Sequence, residues 1–343
     1  MAFVFLELLQ VSLGGRDKLS RVPSEAEWEV LFLEAQRQCV VGVLLDGVEH
    51  LPAEQLPYKQ MLLQWIGLGQ ITDNAYSLQC NRAKELTERM GALGIRSCVL
   101  KGVGVAQLYP SPSHRQCGDI DLWVDRSRDG LMPFLSGKYE IGMNVWHHAE
   151  VKFFDDVETE IHFHPGWMYN PFDNRRLQQW FEMNKSAQME VDDKLGFAYP
   201  SVQFNAVYSL VHLFHHLIEE GVGLRHIIDY YFIMRALPTD ARLGVVQNLK
   251  RLGLYRLAKA VMWVLQEVCG MSSDLLLCKS DEREGRFLMD EVMRGGNFGH
   301  HRKDNRRRNS VARMLALLPH YPREVLWVVP WKLWHKCWRF FHS

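Results

Sequence analysis

The stretch IRSCVLKGVGVAQLYPSPSHRQCGDIDLWV, residues 95–124, decides the fold. Ile95–Leu100 is a short apolar run that reads as a strand. Lys101-Gly102-Val103-Gly104 follows as a glycine turn, and Val105–Tyr109 has room for one or two helical turns. A polar loop with two prolines runs from Pro110 to Cys117. Gly118 then leads into Asp119-Ile120-Asp121-Leu122-Trp123-Val124, a strand by its alternation. Side chains two apart on a strand share a face, so Asp119 and Asp121 lie on one side, Ile120 and Leu122 on the other. Carboxylates two strand rises apart, ~7 Å at Cα, repel unless a cation lies between them.

The flanks of this stretch read differently. Residues 1–94 are helical by pattern. An amphipathic N-terminal helix ends at Gly14-Gly15, and Ser24-Glu25-Ala26-Glu27 forms a capping-box start followed by apolar spacing through Leu44 and Leu45. A long helix covers Tyr58–Met90. Beyond the Asp pair, a weaker helix precedes Gly137. Strands are expected over Glu150–Phe154 and Val157–Phe163, with Asp155-Asp156 as a two-residue hairpin turn. Pro165-Gly166 closes that stretch. From Ser201 the pattern is helical again, with helices over Val202–Glu219 and Leu224–Arg235. Residues 279–310, including Arg302-Lys303 and Arg306-Arg307-Arg308, read as a loop or a solvated helix surface. The expected class is therefore α+β: a small, mainly antiparallel or mixed sheet in residues 95–166, between helical regions 1–94 and 167–343.

Composition narrows the function classes. The chain has 343 residues, 47% apolar and 23% charged, which excludes a disordered or fibrous protein. Forty basic and forty acidic residues cancel. Residues 297–343, however, hold ten Lys/Arg against two Asp/Glu, an excess of +8 that the remainder balances. With no basic bias before residue 297, a long nucleic-acid track is not expected. Seven cysteines without a CxxC spacing speak against a disulfide framework or a cysteine zinc site. The N-terminus lacks a signal-peptide pattern and no run is long and apolar enough to span a membrane. A cytoplasmic protein is the expectation.

The chemistry expected at the centre follows from residue type. Leu100-Lys101-Gly102 ends a strand where a helix begins, a place where free N–H groups hold phosphate. Thr159-Glu160-Ile161-His162 brings a third carboxylate on another strand. Oxygen ligands of this kind suit Mg²⁺ or Mn²⁺, and three carboxylates beside a phosphate cradle suit two-metal displacement at phosphorus.

The runs LKGVGVAQLYPSPSHRQCGDIDLWV and HHAEVKFFDDVETEIHFH resemble the bacterial uncharacterised nucleotidyltransferases of the DNA polymerase β-like superfamily. Softer likeness extends to LELLQVSLGG, VHLFHHLIEEGVGLRHIIDYYFIM and GGNFGHH. The resemblance implies a small mixed sheet with flanking helices, divalent metal, and transfer of a nucleotide from an NTP to an acceptor hydroxyl. By position it makes Asp119, Asp121 and Glu160 the metal ligands and catalytic carboxylates, and Gly102 the phosphate-side glycine. The superfamily usually has Gly-Ser or Gly-Gly in that turn. Here Val103 separates Gly102 from Gly104, and Lys101 is expected to share the triphosphate contact with the Gly102–Gly104 turn. Glu160 is also expected to help deprotonate the acceptor.

Other candidates carry competing readings. His114 and Arg115 lie in the loop before the Asp pair, where Arg115 suits a phosphate or simply solvent. Glu158, Glu160, His162 and His164 alternate as on one strand face. With His147-His148 in reach, His162 and His164 offer a zinc-hydrolase alternative, and His162 alone a partner orienting Glu160. His212, His215 and His216 read as helix core or cap, with a pocket lining as the alternative, and Arg225-Asp229 as an i,i+4 pair. The tail LWVVPWKLWHKCWRFFHS interleaves Trp327, Trp331, Trp334 and Trp338 with Lys332, Lys336 and Arg339. It suits a peripheral membrane contact, a polyanion, or a closing helix whose aromatics meet the core, and Pro330 is expected to break it. A noncatalytic binding protein and a γ-phosphoryl kinase stand as alternatives to nucleotidyl transfer.

Overall fold

The computed structural model describes residues 2–302 and 310–342. Lys303 and the Arg306–Arg308 run lie outside the described residues. The chain opens with α1 (Ala2–Ser12), α2 (Glu25–Arg37), α3 (Val41–His50) and α4 (Lys59–Ala92). α1 buries Val4, Phe5, Leu8 and Leu9, and its in-sequence Glu7 is buried too, paired with Arg16 at 2.9 Å. The capping box forms at α2, with Ser24 and Glu27 exchanging hydrogen bonds. The apolar spacing through Leu45 is not one helix. The chain turns at 38–40, Cys39 taking φ +54°, and restarts as α3.

Next come β1 (Ser97–Leu100), α5 (Gly102–Ala106), β2 (Ile120–Val124), α6 (Arg128–Lys138), β3 (Ile141–Asn144), β4 (His148–Val151) and β5 (Thr159–His162). The helical remainder is α7 (Pro171–Lys185), α8 (Val202–Glu219), α9 (Leu224–Ala236), α10 (Arg242–Arg251), α11 (Tyr255–Glu267), α12 (Glu282–Gly295), α13 (Ser310–Leu317) and α14 (Pro322–His342). Side-chain caps fix several starts: Asn170 for α7, Ser201 for α8 and Asp281 for α12.

The five strands form one sheet in the order β1-β2-β5-β4-β3. β2 and β5 are parallel and every other pair is antiparallel. The fold is α+β with a small mixed sheet between helical flanks. Its two faces meet different partners. Val99, Ile120, Leu122, Val124, Ala149 and Ile161 join α4 residues Ala83, Leu86 and Met90 and α6 residues Leu131 and Leu135 in one apolar cluster. Cys98, Leu100 and Trp123 face the larger cluster built by the remaining helices, with Trp123 stacked on Phe204 of α8 at 5.8 Å. Apolar contacts on both sides explain why β2 is buried along its whole length.

Several elements differ from expectation. β4 and β5 are not joined by a two-residue turn; residues 152–158 form a longer loop. Asp156 is drawn away to Arg82 of α4, at 2.8 Å, and the same guanidinium lies 4.7 Å over Phe154. β3 has partly exposed residues and a Gly142 interior, so its pattern was weak. Within 279–310, α12 is a packed helix rather than a solvated surface. Glu284 is buried against Arg256 and His320, and Arg302 is buried against Glu291 at 2.6 Å. α14 runs through Pro330, whose missing N–H removes a single helix hydrogen bond. No helix among the described residues is long and apolar enough to cross a membrane.

Candidate active site

The site is built from one row of the sheet. Leu100, Asp121, Glu160 and Glu150 are direct neighbours across β1, β2, β5 and β4. Because Asp121 and Glu160 are direct partners across β2 and β5, they leave adjacent strands toward the same face, that of α8. Asp119 precedes β2 by one residue and points the same way. One oxygen from each of Asp119, Asp121 and Glu160 lies within 4.8 Å of the others. In the next row His162 sits beside His148 on β4. His162 Nε2 lies 2.8 Å from Asp121 Oδ1 and 3.1 Å from Glu160 Oε2, so one imidazole ties two of the carboxylates together.

The turn after β1 is strained. Lys101 has φ +50° and ψ −148°, a region costing a non-glycine residue about 1–3 kcal/mol, and Gly102 beside it has φ +44°. This conformation delivers Lys101 Nζ to 2.7 Å from Asp121 Oδ1. Gly102 lines the cleft, whereas Gly104 does not. A Cβ on Gly104 would meet the Val99 carbonyl at 2.8 Å and Tyr199 Cβ at 3.0 Å, so Gly104 lets α5 lie close on β1.

The electrostatics show how crowded the negative charge is. Asp119 is pushed up to about 6, first by the charge of Asp121 and then by burial. It has no side-chain ion-pair partner among the described residues. Burial acts to raise Asp121 as well, but the Lys101 ammonium and the His162 hydrogen bond outweigh it and hold this group far below the usual carboxylate range. Burial opposes charge on His162. Its hydrogen bonds to Asp121 and Glu160 win and lift it to about 9. Burial likewise opposes ionisation of Glu160, and the His162 hydrogen bond turns the balance downward. His148 is lowered to about 4, chiefly by burial. The set is acidic, partly neutralised by one lysine and one histidine, with Asp119 left to repel its neighbours. That donor chemistry fits a hard divalent cation.

Other predicted residues fall elsewhere. Arg115 edges the cavity, but its guanidinium is buried and clamped by Asp229 of α9, at 2.9 Å (Nε) and 2.8 Å (Nη2), with Tyr109 O–H donating to the same carboxylate. Asp229 therefore pairs with Arg115 and not with Arg225, which donates instead to the Gln116 carbonyl. The pair fastens the loop that enters β2 to α9. His164 does not join His162, because β5 ends at His162. The His164 N–H turns to the His147 carbonyl, and its Nδ1 lies 2.9 Å from Gln178 Oε1. The His162/His164 zinc pair is thus not formed, and Glu158 lies just before the strand.

The carboxylates open into a cavity of about 900 Å³, within the range of small-molecule sites. Its far walls bear out the pocket-lining alternative for the α8 histidines. His212, His215 and His216 of α8 and His226 of α9 line it and are not ordinary core or cap residues. Lys332, Lys336 and Arg339 of α14 line it from another side, beside Trp331, which stacks on Trp167 at 5.3 Å. α14 is held there by Lys332 to Glu219 at 3.4 Å, by Arg128 over Trp338 at 4.8 Å, and by Glu324, which accepts the Tyr169 and Asn170 N–H groups. The i,i+4 histidines and the cation spacing of the tail were the available signals. Neither says which way a helix faces.

Residues 24–270 match the family described as uncharacterised nucleotidyltransferase. Among solved structures, an antigenic nucleotidyltransferase-like protein from Paracoccidioides brasiliensis is similar, at 14% identity and a TM-score of 0.37, over 60% of this chain and 96% of that one. No curated protein matches the chain.

Proposed function

The chain belongs to the uncharacterised nucleotidyltransferase family, and from that premise we propose that it moves a nucleoside monophosphate from an NTP to an acceptor hydroxyl. The supporting observation is the convergence of Asp119, just before β2, with Asp121 on β2 and Glu160 on β5, Asp119 being raised chiefly by the charge of Asp121. Asp119, Asp121 and Glu160 would hold Mg²⁺ or Mn²⁺. Bound there, such ions supply activation of the attacking oxygen and charge stabilisation on the phosphates.

The chain's own residues set the geometry. His162 fixes the orientation of Asp121 and Glu160 at once. Lys101 and Gly102 are the assigned triphosphate contacts, since the strained turn brings the ammonium to the carboxylates and Gly102 borders the cleft. Lys332, Lys336 and Arg339 on α14 give the same cavity a cationic wall suited to phosphate. Arg115, clamped by Asp229, is better placed to hold the β2 entry loop than to follow a substrate.

A second reading rests on the Lys101–Asp121 ion pair, which covers one ligand oxygen. It makes the protein a noncatalytic binder of anions in the same cavity. The test is incubation with Mg²⁺ or Mn²⁺ and each NTP, labelled in turn at the α and γ phosphates, with a clarified cell extract as acceptor source. Transfer of α label by wild type and not by the D119N/D121N variant is the expected result. Transfer of γ label alone overturns nucleotidyl transfer in favour of a kinase. Nucleotide binding with no transfer of either label favours the noncatalytic reading.

A further inference from the structure

A second ligand set lies across the same cavity. His212 and His216 are four apart on α8 and so share a helix face. His226, in the first turn of α9, meets them, with ring centroids 5.5 Å from His212 and 5.2 Å from His216. One ring nitrogen from each of the three lies within 4.8 Å of the others. Tetrahedral coordination at Zn–N distances of ~2.05 Å needs nitrogens ~3.3 Å apart, a closure of at most about 1.5 Å.

The outer partners are already in place. Glu220 Oε2 is 3.4 Å from His216 Nδ1, and the Gly223 carbonyl is 3.4 Å from His226 Nδ1. Each holds the Nδ1 side and leaves Nε2 for a ligand, the arrangement that orients metal-binding imidazoles. His226 is 6% exposed and its Nε2 has no hydrogen-bond partner, a buried polar atom aimed at no protein group. The loop between the two helices is fixed by close backbone contact. A Cβ on Gly223 would stand 2.8 Å from Asn297 Cα. Phe298, at φ +52°, a strained value for an aromatic residue, covers His216 at 4.7 Å and His226 at 5.6 Å. Burial keeps all three imidazoles toward the neutral, lone-pair form that ligates metal.

We infer that His212, His216 and His226 form a three-nitrogen site for a borderline transition cation of the Zn²⁺ class, oriented by Glu220 and Gly223 and facing the cavity shared with Asp119, Asp121 and Glu160. Three imidazoles exclude Mg²⁺ and Ca²⁺, which take oxygen ligands, so the two ends of the cavity select different metals. Three protein ligands leave a fourth position for a ligand from the cavity, an anionic or hydroxyl oxygen. The inference rests on the histidine geometry and not on nucleotidyl transfer.

The test uses the full chain stripped with a chelator and reloaded with Zn²⁺ or Co²⁺ alone. One tightly held equivalent is expected, with intense visible Co²⁺ absorption and X-ray absorption showing three imidazoles. H216Q and H226N, each checked for a wild-type far-UV spectrum, should weaken binding at least about 100-fold, and E220Q about 10-fold. D119N/D121N should keep the equivalent. The inference is overturned if wild type retains no Zn²⁺, or if the bound metal shows two imidazoles and is lost with H148N or H162N, which would place it on His148, Glu160 and His162. Because wild-type spectroscopy alone decides between these outcomes, the test survives any variant that does not fold.

Discussion

Replacing Asp229 by leucine isolates the buried pair that holds the loop entering β2. Arg115 is 5% exposed, Asp229 8%, and the carboxylate receives two guanidinium N–H groups and the Tyr109 hydroxyl. D229L leaves the guanidinium buried without its countercharge, a change that costs about 3–5 kcal/mol. R115M/D229L removes both charges, leaving mainly the Tyr109 hydroxyl without an acceptor, about 1–3 kcal/mol. The entropy of unfolding at ~2.1 cal/mol/K per residue gives ~0.7 kcal/mol/K for 343 residues. D229L should therefore melt about 4–7 °C below wild type, and the double variant only about 1–4 °C below. Calorimetry of wild type, both single variants and the double variant measures this. The reasoning fails if D229L melts within 1 °C of wild type, or if the double variant melts as low as D229L or lower, since uncompensated charge would then not be the cause.

The remaining predictions concern the site, the α14 contact and one tight helix approach. E160Q and D119N should each lower label transfer more than about 100-fold with little change in melting temperature, and a chelator should abolish transfer until Mg²⁺ or Mn²⁺ is restored; retained transfer in either variant refutes the carboxylate assignment. Glu324 is raised to about 7, chiefly by burial, above its ordinary 4.5. A raised folded-state value means its stability is fully present below about pH 4.5 and is lost as pH climbs through about 7. That amounts to about 3 kcal/mol by linkage, and E324Q should flatten that part of the pH–stability curve in a denaturant titration. Gly42 faces the His114 carbonyl, where an added Cβ would sit 2.2 Å from the oxygen. G42A should be destabilising by about 1–3 kcal/mol and push the 112–115 turn outward, readable as faster amide exchange there.

The acidic row was legible because it is local chemistry on regular strands. Asp121 on β2 and Asp119 just before it alternate with Ile120 and Leu122, and Glu160 has the same phase on β5. The strand, turn and strand expected over residues 95–124 form, with the strands trimmed to Ser97–Leu100 and Ile120–Val124 and Gly104 serving packing rather than the cleft. What stayed hidden depends on long-range contact. Nothing near Asp156 announces Arg82, 74 residues earlier, which pulls the β4–β5 loop open. Arg115 reads as an exposed loop cation because its partner, Asp229, lies on a helix more than a hundred residues away, while the nearer Arg225 offers a plausible but unused pairing. The histidines of α8 announce a helix face, and only packing against α9 and the Phe298 turn shows that this face meets a cavity.

The parallel pairing of Asp121 with Glu160 makes the acidic row and the apolar cluster a single choice. A slip of one residue between β2 and β5 would set Ile161 or Thr159 beside Asp121 and drive Glu160 toward the Leu122 side. A chain that misaligned these strands would thus lose its acidic constellation and put a charge into its core in the same step. No partly registered intermediate with a serviceable site lies between. The excursion from residue 125 to residue 158, which itself gives Leu131, Leu135, Ala149 and Val151 to that cluster, has to return the second strand in phase. The alternation of Ile120, Leu122 and Ile161 then acts as a proofreading device for chemistry on the opposite face.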